Sequence, residues 1–436
     1  MKRIGVFFVF LALASALQAQ VPSKKQDIAL FSLSSGDPSV PRALMEGVDA
    51  QIKQTLLTIG RFNVLGLAFR LDNLRLKDFV AKLKLIKEQS SPPNTGIQFG
   101  EQFLTLDEYN KIAGSFLVVI PRVTGFQVIR RPNNVHEADI ETTFTILRGS
   151  DLSPIPGGFI QLRTQGFDRY PQKAAEMALQ EMIPLLTFDL RKVPQFQITS
   201  GVLDVGFETA KIELGRNLGI MVGDEYSLRK DVTEDGVDKQ KEVGLIIVRK
   251  VNDTSSDAFI AYGNPFVGET VHEIPRLGVD VEPYVNLVHR FTSDGDAYNL
   301  SVGIQSVYNR GFWDVKPLFG IEVPLILDVS NVLWLPFYSY LGAEFYPLRL
   351  GRFDLTVSAA LAGGGAYILV DTSQFLGSNS QPFYWTHIGA RAEAKAQFLF
   401  SRDAKIAAMV GGAAYLGLLD AYVGKSSFFK SSFQLS

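Results

Sequence analysis

The sequence predicts a multidomain chain whose carboxy-terminal part is an antiparallel β-barrel of about eight strands. Three observations carry that prediction. From residue 278 onward, apolar and charged residues alternate with a period of two. Upstream, short apolar runs are separated by segments with helical spacing, which marks an α/β unit. At the amino terminus, a brief apolar run follows Lys2 and Arg3, as in a secretion signal.

The alternation is plainest in two places. Leu300, Val302 and Ile304 share one parity, and Asn299, Ser301 and Gln305 the other. Ile388, Ala390, Ala392 and Phe398 alternate with His387, Arg391, Glu393 and Lys395. Successive side chains of a strand point to opposite faces, so each parity is one face of a sheet. Strands are expected over 278–291, 298–308, 312–325, 336–348, 353–370, 384–400, 405–418 and 423–435. Tight turns at 309–311, 349–352 and 401–404 alternate with longer connections at 326–335 and 371–383. Short turns on one side and longer loops on the other are the habit of outer-membrane barrels. An even strand number puts both barrel ends on one side. The tight turns, and everything amino-terminal to the barrel, are therefore expected in the periplasm.

Parity assigns the faces. Val279, Val281, Val285, Leu287, Trp313, Val315, Phe319, Ile321, Val323, Leu355, Val357, Leu361, Ile388, Phe398, Phe400, Ile406 and Val410 are expected outward. Asp280, Glu282, Arg290, Asp314, Lys316, Glu322 and Lys430 are expected inward, with a candidate ion cluster of Glu344, Arg391, Glu393, Lys395, Asp354 and Lys405. Eight strands leave an interior that side chains can fill. Charges of both signs there should pair into a plug. The competing reading is a path for protons or solutes. A soluble β-sandwich would instead have to bury the apolar parity against a second sheet. Trp313, Trp334, Tyr338, Tyr384 and Trp385 lie near the expected strand ends and suit an interfacial belt; sugar binding is the other reading for Trp334 and Trp385.

Residues 1–20 are read as a signal peptide. The apolar run 6–13 is too short to span a bilayer, and Ala14, Ser15, Ala16 and Ala19 supply small residues for cleavage. Cysteine is absent, which excludes a cysteine lipid anchor, disulfides and thiolate metal sites. A net charge of −2 argues against a nucleic-acid partner.

Residues 21–193 read as α/β, expected in the periplasm. Ile28–Leu33 is a short apolar strand, and Leu44, Val48, Ile52 and Leu56 mark a helix over 41–59 that stops at Gly60. A strand is expected over 62–69 and a helix over 74–87. A short helix over 106–112 starts at Thr105 with Glu108 three places on, a capping box. Paired strands over 116–129 and 136–147, a strand over 159–164 and a helix over 171–186 complete the unit. Residues 194–277 read as a small all-β module with a charged hairpin tip at 230–241.

This order, with the phrases Ile28-Ala-Leu-Phe, Gly60-Arg-Phe-Asn-Val and Phe116-Leu-Val-Val-Ile-Pro-Arg-Val-Thr-Gly, resembles the periplasmic domain of the curli-secretion channel (CsgG-like) family. It also resembles the related FlgT and TolB amino-terminal domain families. The phrases Val222-Gly-Asp-Glu-Tyr, Val243-Gly-Leu-Ile-Ile-Val and Val267-Gly-Glu-Thr-Val resemble the carboxy-terminal module of FlgT. The resemblance implies a domain that organises oligomeric or ring-like envelope assemblies. The curli family is anchored by a lipidated cysteine and pools its subunits into one pore. This chain lacks the cysteine and brings its own barrel, so that pore is not carried over.

Nothing points to catalysis. His136, His272, His289 and His387 show no zinc-like spacing, and there is no Gly-x-Ser-x-Gly elbow or phosphate loop. Gly363-Gly364-Gly365 lies inside an expected strand, where it relieves packing. Asp224 and Glu269 each follow a glycine and read as turn residues, with metal binding the competing reading. No catalytic, cofactor or metal residue is expected. The leading expectation is an integral outer-membrane barrel that anchors a periplasmic binding or scaffolding region for envelope assembly. A small channel or transporter is the alternative, and an outer-membrane enzyme comes third, for want of a nucleophile. The expected partners are outer-membrane lipid and either a periplasmic envelope protein or a second copy of the chain.

Overall fold

The computed structural model describes residues 25–35, 40–70, 76–88, 96–99, 102–234, 237–292, 295–325, 334–368, 383–417 and 431–435. The expected signal peptide and the long connections lie outside them. The fold is mostly β-sheet, with four α-helices among the described residues. None of these helices is long and apolar enough to cross a membrane, which says nothing of crossing by strands.

The first sheet is built on β1 (Gln26–Ser32), whose alternating residues feed two cores. It pairs in parallel with β3 (Phe62–Arg70) and with β6 (Leu117–Arg131). β7 (Val135–Arg148) and β8 (Pro154–Asp168) extend the sheet antiparallel, and the short β2 (Ser34–Ser35) lies along β6. Ile28 and Leu30 pack with Val48, Ile52 and Leu56 of α1 (Arg42–Ile59) and with Met182 and Leu186 of α4 (Pro171–Lys192). Ala29 and Phe31 pack the other way, onto Phe79 and Leu83 of α2 (Leu76–Glu88) and Tyr109 and Ile112 of α3 (Leu106–Gly114). A hairpin of β4 (Ile97–Phe99) and β5 (Gln102–Leu104), not foreseen from the sequence, adds Phe99 and Leu104 to that second core. α1 ends where Gly60 takes a left-handed conformation (φ 77°). α3 carries the expected box: the Glu108 amide donates to Thr105 Oγ1, and Glu108 accepts from the Thr105 amide. Thr105→Ala is expected to cost about 1 kcal/mol, read as a lower unfolding midpoint.

The second sheet is a closed six-stranded barrel. β9 (Thr199–Gly206), β10 (Thr209–Ile212), β11 (Glu225–Glu234), β12 (Val237–Val251), β13 (Ser256–Tyr262) and β14 (Thr270–Ile274) ring up in the order β10-β13-β12-β11-β14-β9. Val202, Ile212, Tyr226, Leu228, Ile246, Val248 and Val271 fill it.

The third sheet is an eight-stranded antiparallel ring. It comprises β15 (Val279–Thr292), β16 (Gly295–Tyr308), β17 (Val315–Leu325), β18 (Trp334–Leu350), β19 (Phe353–Ile368), β20 (Phe383–Ser401), β21 (Ala404–Gly417) and β22 (Ser431–Leu435). β22 pairs with both β21 and β15 and so closes the ring. Alternation sorts most described residues of the strands as parity requires; at the start of β21 it does not, and Lys405, expected inward, is exposed. Val281, Val285, Leu287, Leu341, Val357, Ile388, Ile406 and Val410 are exposed on the wall, and Leu361 is 75% exposed. Lys316, Glu322, Glu344, Arg391, Glu393 and Lys395 are buried.

Several expectations need correction. Trp313 and Asp314 precede β17 and lie in the turn. Asp314 is exposed there, and the Trp313 ring packs on Phe259 of the smaller barrel (centroids 5.9 Å apart) instead of facing outward. Tyr338 faces the interior, with its ring 5.1 Å from that of Tyr415, because it shares the parity of Tyr340. β22 spans Ser431–Leu435 only, and 418–430 lie outside the described residues. β16 begins at Gly295, three residues earlier than expected. The side chains of Arg290, Trp334, Tyr384 and Lys430 lie outside the described residues.

Candidate functional site

The site with the most chemistry is the interior of the eight-stranded barrel. Arg391 stands on β20 opposite Ala413 of β21, and Glu393 opposite Gly411. These small partners leave room: a Cβ on Gly411 would come within 2.5 Å of Glu393 Cγ. The Arg391 fork reaches Glu322 at 2.6 Å and Glu393 at 2.5 Å. Glu322 also accepts from Ser301 Oγ (2.6 Å) and the Tyr284 hydroxyl (3.0 Å). The Arg391 guanidinium lies 4.5 Å from the centre of the Tyr340 ring, a cation–π contact. The Tyr340 hydroxyl completes the belt, bridging to Tyr284 (3.1 Å) and Gln305 (3.2 Å). Each tyrosine sits against a glycine on the neighbouring strand. A Cβ on Gly303 would fall 2.2 Å from Tyr284 Cζ, and one on Gly320 2.1 Å from Tyr340 Cζ.

A second set lies nearer the tight turns. Lys395 bridges Glu282 (2.7 Å) and Glu344 (2.8 Å), and Lys405 pairs with Asp280. Of the six cluster residues read from sequence, Arg391 pairs with Glu393 and Lys395 with Glu344, and Gln305 links the two pairs by donating to Glu282 (3.3 Å) and Glu344 (3.4 Å) while accepting from Tyr340. Lys405 stands apart with Asp280, and Asp354 accepts from Gln397 at 3.4 Å. The sequence reading left out of the cluster Glu282 and Glu322, which complete the pairs, and the polar belt of Tyr284, Ser301, Gln305 and Tyr340. Their signal was available, since all lie on the parity of the charges. A space of about 880 Å³ lies between β15 and β21, lined by Asp280, Glu282, Glu393, Lys395 and Lys405 among others. Among the described residues, β22 pairs with His289–Phe291 and Gly412–Leu416, and the space lies beyond those pairings.

The six-stranded barrel covers the end with the tight turns. The Gly311 amide donates to Val222 O (2.7 Å). Arg276 joins Glu225 (2.9 Å) to Asp403 (2.6 Å), and Arg402 reaches Glu242 (2.8 Å). The Arg352 guanidinium lies 4.0 Å from the Tyr262 ring centre. Leu245, Phe259, Ala261 and Ile274 pack with Trp313 and Leu399 between the barrels, around a cavity of only about 60 Å³.

All three parts of the chain meet at one buried joint. Glu273, 1% exposed, receives Arg61 at 2.6 and 2.7 Å and Arg191 at 2.5 Å. Arg191 reaches on to Asp224 (3.2 Å), and Arg310, in the first tight turn of the larger barrel, also holds Asp224 (3.0 Å). Asp224 is thus an ion-pair acceptor that also receives the Met221 amide, and Glu269 closes its turn by accepting from the Phe266 amide. Burial alone would raise the pKa of Glu273, but Arg61 and Arg191 outweigh it and hold the carboxyl below its ordinary value. Burial would likewise lower that of Arg191, and Glu273 and Asp224 reverse it, so the guanidinium stays firmly charged. Burial pushes the Tyr226 hydroxyl well above its usual range. His272 directly precedes Glu273 on β14, while His136 and His387 have other settings. His136 Nδ1 lies 3.0 Å from Arg169 O, and the His387 ring centre is 6.4 Å from that of Tyr415.

No protein-family model matches the chain, and no curated protein does. Among solved structures it is similar to the 1.65 Å structure of the hypothetical protein CT253 from Chlamydia trachomatis. The identity is 9%, over 37% of this chain and 96% of that one, with a TM-score of 0.23. A likeness that weak bears on neither fold nor function.

Proposed function

We propose that this chain is an outer-membrane β-barrel protein whose barrel anchors a periplasmic binding or scaffolding region. The observation that carries the reading is the sorting of the eight-stranded wall. Its outer side exposes Leu361, Leu341, Val285, Leu287, Ile406 and Val410, while Arg391, Glu393, Lys395, Glu322 and Glu344 are buried and paired inside. An apolar surface of that extent needs a cover, and lipid is the cover suited to a ring whose outer wall has no second sheet against it among the described residues. The paired interior and the smaller barrel across one end favour an anchor over a channel. The absence of any recognised nucleophile constellation in the sequence favours binding over catalysis. The role of the amino-terminal parts, holding an envelope protein or a second copy of the chain, rests on their resemblance to the curli-secretion, FlgT and TolB domain families.

Two measurements test this. The membrane fraction should migrate differently on a gel before and after boiling, as a folded barrel does. The purified protein should be silent in planar bilayers. Steady ion-selective steps would favour the channel reading, with Arg391, Glu393, Lys395 and Glu344 lining the path. Cleavage of 26–274 by protease added to intact cells would overturn the orientation.

A further inference from the structure

One end of the six-stranded barrel carries three large apolar side chains in water: Phe207 (91% exposed), Phe266 (59%) and Val267 (62%). The pairings bring Phe207 and the start of the loop to the same end of β13. Thr209 pairs with Phe259, and the Ile260 amide donates to Glu208 O (3.0 Å), so Phe207 at the hairpin tip stands level with Ala261 and Tyr262. The loop bearing Phe266 and Val267 leaves directly from Tyr262. It is bent by Gly263 and Gly268, both left-handed (φ 92° and 88°). It is pinned by the Gly268 amide on Val202 O (2.8 Å) and the Phe266 amide on Glu269 (3.1 Å). A loop held this firmly has not swung its apolar residues outward by chance of disorder. From Ala258 to Gly268 it and its strand carry no charged residue.

The place of this end is set by the larger barrel. The Tyr262 ring lies against Arg352, which donates to Leu399 O (2.9 Å) and Phe400 O (2.5 Å) on the rim. Leu350, Phe353 and Phe400 are exposed apolar residues of the outer wall beside that rim. Phe266 is four residues past Tyr262, so at most about 14 Å of chain separates it from Tyr262, whose ring meets Arg352 on the rim. The headgroup zone begins where the apolar wall stops, and side chains of shallowly bound elements reach about 5–10 Å into that boundary. We propose that Phe207, Phe266 and Val267 form a second, shallow membrane contact, dipping into the periplasmic lipid surface beside the barrel. The contact would fix the tilt of the periplasmic region against the bilayer. It rests on the reading of the eight-stranded barrel as membrane-spanning.

The chain has no cysteine, so one introduced thiol reports one place. Phe266→Cys, Phe207→Cys, Leu361→Cys and Asp253→Cys proteins would each carry a nitroxide in vesicles of phosphatidylethanolamine and phosphatidylglycerol. Collision with oxygen would be compared with collision with a water-soluble nickel chelate. Labels at 266 and 207 are expected to favour oxygen, as the label on the wall at 361 does, while the exposed site at 253 favours the chelate. If 361 reports lipid but 266 and 207 report water, the shallow contact is wrong and the barrel reading stands. If 361 also reports water, the membrane reading itself falls. Shielding of 266 and 207 from both reagents means a protein covers them, which likewise overturns the lipid assignment.

Discussion

Glu273→Ala should cost about 3–5 kcal/mol and loosen the amino-terminal unit from the six-stranded barrel, because two buried guanidiniums lose their shared carboxylate. Arg61 and Arg191 both lean on Glu273 within 2.7 Å, and Oε2, which Arg61 also reaches, accepts the Ile198 amide at 3.2 Å. Arg61 keeps the Phe196 carbonyl and Arg191 keeps Asp224, which holds the loss toward the lower part of that range. Limited proteolysis is the direct readout. The link between Lys192 and Thr199 should become cleavable in the variant while the eight-stranded barrel stays intact. The pH dependence has a definite sign. The Glu273 carboxyl is held below its ordinary value when folded, whereas in the unfolded chain it titrates near about 4.3. Its contribution is therefore fully present above about pH 4.3 and drains away as pH falls through the lower folded value. The wild-type protein should lose stability in acid more steeply than Glu273→Ala, and the two curves should converge there. Equal unfolding midpoints for the two proteins at neutral pH would mean that the joint contributes nothing.

What the sequence disclosed follows from the range of each interaction. Parity is local: Leu355, Val357 and Leu361 report their face through their immediate neighbours, and the structure exposes all three. The capping box at Thr105 spans four residues and was equally legible. Partnership inside the ring is not local. Arg391 meets Glu322 across 69 residues, and Lys395 meets Glu282 across 113, distances set by the stagger of the whole ring. Sequence could place these groups inside without saying which would touch. The joint was invisible for the same reason, since Arg61 and Glu273 are 212 residues apart. Trp313 misled because parity was extended through a turn, where the period of two has no meaning and contact with Phe259 decides. α4 was expected to stop near residue 186 but runs to Lys192, and the added turn buries Leu190 and carries Arg191 into the joint. Tertiary contacts there extended a helix that local pattern had ended.

A loss at the upper end of that range is expected within the larger barrel. Arg391→Ala strips a two-pronged contact from Glu393 (2.9 and 2.5 Å) and the bond to Glu322 (2.6 Å) at once. Glu322 retains Ser301 and Tyr284 as donors. Glu393 takes both of its charged hydrogen bonds among the described residues from Arg391 and loses them together. Leaving such carboxylates buried beside each other should destabilise the barrel by about 5 kcal/mol. The temperature at which the fast-migrating folded form is lost on a gel should fall sharply. Arg391→Lys keeps the charge but not the planar fork, so it should recover only part of the loss. Changing the whole set, Arg391→Met with Glu322→Gln and Glu393→Gln, removes the opposed charges together and should recover more than Arg391→Lys does. That order separates a structural ion network from a conduction path. A path would show wild-type steps whose selectivity shifts with the charge at 391, regardless of stability. A plug would show a silent wild-type protein, with irregular openings only in the destabilised Arg391→Ala barrel. Should Arg391→Ala retain the wild-type gel midpoint, the interior pairs do not hold the barrel together, and the plug reading of the interior falls.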